Sequence, residues 1–206
     1  MPDFSFEKQY AAGGFVFGVD EAGRGPWCGP VVAACVCWPQ LKIDADLAKQ
    51  INDSKKLSAK KREVLFDLIM ASPALVGVGQ ASAQEIDRLN ILQATFLAMQ
   101  RALEQVQQQG HKVDFVLIDG NRLPKWDMPC KALIKGDSLS LSIAAASIIA
   151  KVTRDRLMCA LAKEWPAYGW DKNAGYGTKD HLLALEQYGV TPHHRKSYRP
   201  VQKLLG

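Results

Sequence analysis

No apolar run in this 206-residue chain approaches the length needed to cross a bilayer, so a membrane partner is not expected. Met1–Tyr10 carries Asp3 and Glu7 and lacks the apolar segment of a secretory leader. Cysteine is scarce and odd in number. Cys28, Cys35, Cys37, Cys130 and Cys159 form neither a CxxC pair nor a zinc spacing, and most lie in apolar stretches. That excludes a disulfide framework and a zinc ribbon, and implies reduced buried thiols and a cytoplasmic protein. No GxxxxGK[ST] sequence occurs, so a P-loop is excluded. Internal repeats, low-complexity tracts and long flexible linkers are missing too, which leaves one domain with a small appendage.

What is present centres on Gly18-Val19-Asp20-Glu21-Ala22-Gly23-Arg24-Gly25-Pro26. Apolar runs flank it, Phe15-Val16-Phe17 before and Pro30-Val31-Val32-Ala33-Ala34-Cys35-Val36 after, and both read as strands. Asp20 and Glu21 therefore end a buried strand, where unpartnered charge costs several kcal/mol. Neighbouring strand residues point to opposite faces, so the two carboxylates share one site only if the chain leaves extended geometry right after Asp20. Gly23 and Gly25 make that departure easy and leave backbone N–H groups facing a ligand, with Arg24 among them. The alternative is an ordinary β-turn with solvated charges. A dinucleotide site fails on spacing, because Gly23 to Gly29 is GxGxxxG and a strand rather than a helix follows.

Downstream, Ser58 caps a helix through Ile69, and Ala74–Gly79 reads as a third strand. Ser82-Ala83-Gln84-Glu85 fits a capping box, and Asn90 caps a helix with a Leu92, Phe96, Met99, Leu103, Val106 stripe that Gly110 ends. Phe115-Val116-Leu117-Ile118-Asp119-Gly120-Asn121 repeats the opening device, an apolar strand ending on an aspartate before a glycine turn. A helix-then-strand connection favours parallel pairing at about 4.8 Å, and sites in such sheets gather beyond the strands' carboxyl ends. If the first and fourth strands are neighbours, Asp20 and Asp119 reach one cation. Ala132–Lys135 reads as a fifth strand, closed by Gly136-Asp137-Ser138, before a long helix from about Leu139 to Glu164. Among Asp53, Asp137 and Asp155, Asp137 is the preferred further ligand, since it ends a strand at the same sheet edge. Asp53 fits an Asx-turn and Asp155 an ion pair with Lys151. His193-His194 beside Arg195 and Lys196 reads as a basic, solvent-facing tail. The net charge of +5 around an acidic cluster suggests a polyanionic partner.

Several segments together resemble the ribonuclease HII family in its bacterial form. They are the opening Gly18–Pro26, Asp53-Ser54-Lys55-Lys56-Leu57, Leu117–Asn121, Lys135-Gly136-Asp137-Ser138, Ser142–Asp155 and Gly175-Tyr176-Gly177-Thr178. The resemblance runs in order from about Gly14 to the end of the chain. It implies an α/β, RNase H-like fold: a mixed five-stranded sheet flanked by helices over residues 12–166, with a small C-terminal helical, substrate-binding extension over 167–206. It implies cleavage of the RNA strand of RNA–DNA hybrids, including one ribonucleotide embedded in duplex DNA, by a protein that acts as a monomer. Its four catalytic, metal-binding carboxylates fall on Asp20, Glu21, Asp119 and Asp137, not on Asp155. Its GRG motif, which contacts the ribose 2′-OH, falls on Gly23, Arg24 and Gly25, and its substrate-sensing tyrosine on Tyr176. Trp27-Cys28 departs from the small or aliphatic residues expected after GRGP.

Both lines lead to two-metal phosphodiester hydrolysis, with cations about 3.5–4 Å apart and Asp20 bridging them. Four carboxylates without histidine or thiolate suit Mg²⁺ or Mn²⁺. Lys55, Lys56, Lys151, Arg154, Arg195 and Lys196 are candidate phosphate contacts. Two other readings stay open: a DNA-cutting or strand-transfer relative on the same fold, and a non-catalytic hybrid-binding module that binds without turnover.

Overall fold

The computed structural model describes residues 1–205. The elements in chain order are α1 (Ser5–Tyr10), β1 (Val16–Ala22), β2 (Val31–Cys37), α2 (Ala45–Gln50), α3 (Ala59–Ala71), β3 (Leu75–Ala81), α4 (Ala83–Leu89), α5 (Ile91–Gln108), β4 (Phe115–Asp119), β5 (Cys130–Leu133), α6 (Leu141–Glu164), α7 (Trp170–Asn173), α8 (Lys179–Tyr188) and α9 (Arg199–Gln202). The strands form one mixed sheet in the order β3-β2-β1-β4-β5. The hairpin side, β1-β2-β3, is antiparallel, whereas β1, β4 and β5 run parallel. The expected five-stranded sheet and the β1–β4 neighbourhood are therefore both present. Val16 to Val19 pair with Phe115 to Ile118, which brings the carboxyl ends of the two aspartate-terminated strands side by side.

Strand alternation assigns each face its own helix. Phe17 and Val19 on β1 pack with Ala94, Ala98, Met99, Leu103 and Val106 of α5. On the other face, Ala34 and Val36 pack with the alanines of α6, together with Leu65 and Ile69 of α3. Burying each such Leu or Ile contributes about 1.5–3 kcal/mol, so truncating Leu103 to alanine costs about 2–5 kcal/mol. The small residues at the start of α6 let it lie close to the sheet. At Gly18 the fit is so close that a Cβ would run into the backbone of Ser142 and Ile143. The helix starts are built as their sequences dictate. Ser58 accepts from Lys61 N–H, Ser82 and Glu85 close a capping box, and Asn90 accepts from Leu92 and Gln93 N–H. Leu92 and Phe96 lie on the half-buried edge of the α5 stripe, where they border a cleft.

Two expectations about strand ends are corrected. β1 does not leave extended geometry after Asp20; it stays paired with β2 through Glu21↔Ala33 and Ala22↔Val32. β5 stops at Leu133, so Asp137 ends no strand and instead sits in a 3₁₀ turn over Gly136–Ser138, entered through Lys135 in the left-handed region (φ 58°). Beyond α6, Tyr168, Trp170, Ala184 and Leu185 gather a small second cluster with Met158, Ala162 and Cys28. A β-bridge between Cys28 and His194, with backbone hydrogen bonds from Trp27 N–H to the Gly175 carbonyl and from Arg195 N–H to the Trp27 carbonyl, ties this C-terminal part to the segment after β1. The segment read over 167–206 ends at Gly206, which lies outside the described residues. Among the described residues, no helix is long and apolar enough to cross a membrane.

Candidate active site

Three carboxylates converge at the carboxyl edge of the parallel strands. Asp20 closes the buried part of β1, Asp119 ends β4, and Asp137 comes from the turn before α6. Each offers an oxygen, and these oxygens lie within 4.8 Å of one another. Backbone donors orient two of them: Glu21 N–H donates to Asp20 Oδ1 (2.6 Å), and Gly136 N–H to Asp119 Oδ1 (2.7 Å). The second bond joins the Asp137 turn directly to the end of β4, although β5 stops short of it.

Glu21 is not part of that triad. Because β1 stays extended, its side chain leaves on the α5 face, where it pairs with Arg24 Nη1 (3.1 Å). There it lines a cleft of about 330 Å³ with Asp119, Asn121, Arg122 and Phe96. Asp119 thus borders both the triad and the Glu21 cleft.

The carboxylates are electrostatically unsatisfied. Burial, then the charges of Glu21 and Asp119, push the Asp20 carboxyl well above its ordinary range. Burial also raises Asp137, helped by Asp119 and Asp53, and raises Glu21 against the opposing pull of Arg24. Burial works against charge on Lys55, yet the summed attraction of Asp20, Asp137, Asp53 and Asp119 lifts its pKa. A cluster of hard oxygen donors with mutual repulsion, one neighbouring lysine and no imidazole or thiol is the donor set of Mg²⁺ or Mn²⁺. The residues present fit such an ion.

Beside the triad runs the Gly23–Gly25 turn. Gly23 adopts φ +95°, and a Cβ there would collide with the Arg154 guanidinium. Tyr176, 47% exposed, projects from the turn after α7 and lies next to Gly25. The comparisons with known proteins bear on this arrangement. The family model for Ribonuclease HII matches residues 17–201. The chain belongs to the ribonuclease HII family. It is 55% identical to Ribonuclease HII of Rhodospirillum rubrum over 206 residues, covering 100% of this chain and 92% of that protein. Among solved structures it resembles ribonuclease H2 from Pyrococcus horikoshii OT3, with a TM-score of 0.72 and 27% identity over 92% of this chain and 96% of that one. It shares its fold with Bst-RNase HIII in complex with Mn²⁺, with a TM-score of 0.72 and 19% identity over 100% of this chain and 73% of that one.

Within this chain the basic residues divide sharply. Lys55 and Lys56 are exposed at the rim, and Lys56 Nζ donates to Ser138 Oγ (3.2 Å). Lys196 is exposed on the C-terminal segment, and Lys151 pairs with Asp155 at 2.7 Å, as the i,i+4 spacing predicts. Asp53 forms the expected Asx-turn with Lys55 N–H.

Arg154 and Arg195 are corrections. They are only 1% and 0% exposed, so neither offers a phosphate contact. Arg154 donates to the carbonyls of Pro30, Ala174 and Cys28. Arg195 donates to the carbonyls of Gly29, Arg24 and Gly23 and to the Tyr198 hydroxyl. Burial, then the neighbouring Arg195 charge, pulls Arg154 down to about 10.

The histidines are a further correction, since His194 is buried rather than solvent-facing. A proton assignment follows from its partners: Thr191 N–H donates to His194 Nδ1, so His194 Nε2 carries the hydrogen and donates to His181 Nε2 (3.0 Å). Trp170 Nε1–H donates to the same His181 nitrogen (3.1 Å), and His181 Nδ1–H donates to the Tyr176 carbonyl (2.9 Å). Trp27 packs over Gly177 and His181, which is how the unusual Trp27-Cys28 pair is accommodated. Sequence reasoning missed this network. Its only advance signal was the density of His, Trp and Tyr between Trp165 and Tyr198.

Proposed function

We propose that this chain is a metal-dependent endoribonuclease that hydrolyses the RNA strand of RNA–DNA hybrids. It also nicks duplex DNA on the 5′ side of a single embedded ribonucleotide, leaving a 3′-hydroxyl and a 5′-phosphate. One observation carries the reading: oxygens of Asp20, Asp119 and Asp137 meet within 4.8 Å beside a glycine turn. Those three aspartates would hold one divalent ion, and Glu21 with Asp119, which borders both the triad and the Glu21 cleft, would serve a second. Bound Mg²⁺ or Mn²⁺ supplies the Lewis acidity that activates water and stabilises the leaving 3′-oxygen.

The chain's own groups do the rest. Glu21 N–H and Gly136 N–H hold the carboxylates of Asp20 and Asp119 in orientation. The Gly23-Arg24-Gly25 turn reads the 2′-hydroxyl, the group that separates RNA from DNA. Tyr176 packs against the sugar of the following deoxynucleotide. Lys55, Lys56, Lys151 and Lys196 meet backbone phosphates, Lys151 by releasing Asp155. In this reading residues 12–166 carry the chemistry and residues 167–206 extend the substrate surface, in a cytoplasmic monomer.

The test uses duplex DNA holding one ribonucleotide, with the wild-type protein and Asp119→Asn in Mg²⁺ and in Mn²⁺. The wild type gives one nick 5′ of the ribonucleotide and the variant none. Equal nicking by both, or cutting of an all-DNA duplex, contradicts the reading.

A further inference from the structure

Arg195 reaches the site from more than 160 positions away in the chain, and all its donors converge on one loop. Its Nη2 donates to Gly23 O (2.5 Å), its Nη1 to Arg24 O (2.9 Å) and its Nε to Gly29 O (3.0 Å). Tyr198 OH, itself accepting from Arg195 Nη1, donates to the same Arg24 carbonyl (2.5 Å). The guanidinium is fully buried, and none of the ion pairs among the described residues includes it. A buried cation without a counter-ion is costly, and here its charge is spread over three carbonyl dipoles of the Gly23–Gly29 loop.

Peptide geometry gives this a consequence. In a trans peptide the N–H of one residue points opposite to the C=O of the residue before it, and no peptide bond in the described residues is cis. Turning the Gly23 and Arg24 carbonyls inward onto Arg195 and Tyr198 therefore turns the N–H groups of Arg24 and Gly25 outward. Neither N–H has an acceptor among the described residues, and both residues are exposed beside Tyr176.

We infer that Arg195, together with Tyr198, is a positioning residue for ribose recognition: the C-terminal segment aims the N–H groups of the Gly23–Gly25 turn at the 2′-hydroxyl. This rests on the reading of that turn as the ribose-binding element. It makes sugar discrimination a property of the tail as well as of the loop. A lysine at 195 keeps the charge but cannot present three donors in a plane, and a phenylalanine at 198 keeps the ring but releases Arg24 O.

The experiment measures binding of two fluorescent duplexes, one with a single ribonucleotide and one all-DNA, by anisotropy in Ca²⁺, with gels verifying that neither is cut. Wild type, Arg195→Lys and Tyr198→Phe are compared, each with its melting temperature. The readout is the ratio of the two dissociation constants. Arg195→Lys lowers the preference for the ribonucleotide duplex at least about tenfold, about 1.4 kcal/mol, and Tyr198→Phe about threefold, while affinity for the all-DNA duplex holds. A merely structural role would weaken both duplexes equally, and that result overturns the proposal. If Arg195→Lys does not fold, Tyr198→Phe decides alone, and an unchanged ratio there is equally fatal. Equal affinity of the wild type for both duplexes removes the ribose reading of the turn itself, and the proposal with it.

Discussion

Two clusters of buried charge lie side by side in this molecule and are built on opposite terms. At the rim, Asp20, Asp119 and Asp137 crowd like charges together, and burial and mutual repulsion leave Asp20 and Asp137 reluctant to ionise. Beneath the Gly23–Gly25 turn, Arg154 and Arg195 are buried as deeply, yet their donors are consumed by backbone carbonyls. The difference separates what waits for a ligand from what shapes a loop. Unsatisfied charge of one sign marks the place for an outside counter-ion, and saturated charge marks scaffold.

The largest effect that sharpens this contrast comes from the rim. Asp20→Asn abolishes nicking, by at least about 10³-fold given the several kcal/mol of charge stabilisation a metal site supplies. In metal-free buffer the same variant melts no lower than wild type, because it removes repulsion. A gel assay and a thermal melt read both outcomes, and a destabilised Asp20→Asn would break the comparison. Next is the clamp, where Arg154→Met leaves the buried Cys28 carbonyl and the half-buried Pro30 and Ala174 carbonyls short of a donor. It costs about 3 kcal/mol, or about 6–12 °C in melting temperature for a chain of this size.

A third prediction concerns pH, where the two regions act with opposite sign. Burial, then His181 and His193, hold His194 at about 3 in the folded protein, below its unfolded value of about 6.5. The stability it contributes is complete above pH 6.5 and is lost as pH falls toward 3. Asp20 is raised in the folded state, which costs stability at higher pH, and that cost is relieved as pH falls below the raised pKa toward the ordinary value of 3.8. In EDTA, Asp20→Asn therefore loses more melting temperature between pH 7 and 5 than wild type does. Parallel pH curves would show that the rim carries no strain. The smallest effect belongs to a half-buried pair: Lys151→Ala changes stability by no more than about 0.5 kcal/mol, since the Lys151–Asp155 bridge is an ordinary i,i+4 pair along the helix.

The rim was more legible in the sequence than the clamp, for a physical reason. Asp20 and Asp119 each follow an apolar β-branched run, and strand pairing brings such ends together by local rules. Asp137 was assigned to the right edge on a wrong premise, because the chain leaves β5 at Leu133 and reaches the rim through a left-handed Lys135. Glu21 shows the limit of reading a turn from glycines, since β2 holds β1 extended past the point where Gly23 permits a bend. His194 and Arg195 read as a solvated tail because nothing local announces their partners. The carbonyls of Gly23, Arg24 and Gly29 stand 166 to 172 positions away from Arg195. The helix caps at Ser58, Ser82 and Asn90 were fully legible, being fixed by residues three or fewer positions apart.

The central claim is that the acidic rim exists to hold divalent cations, and calorimetric titration of Mn²⁺ into the wild type and Asp119→Asn tests it most directly. Saturable binding by the wild type, with a matching rise in melting temperature that Asp119→Asn lacks, is the predicted result. Equal Mn²⁺ binding by both proteins, or undiminished nicking by the wild type in excess EDTA, would contradict it.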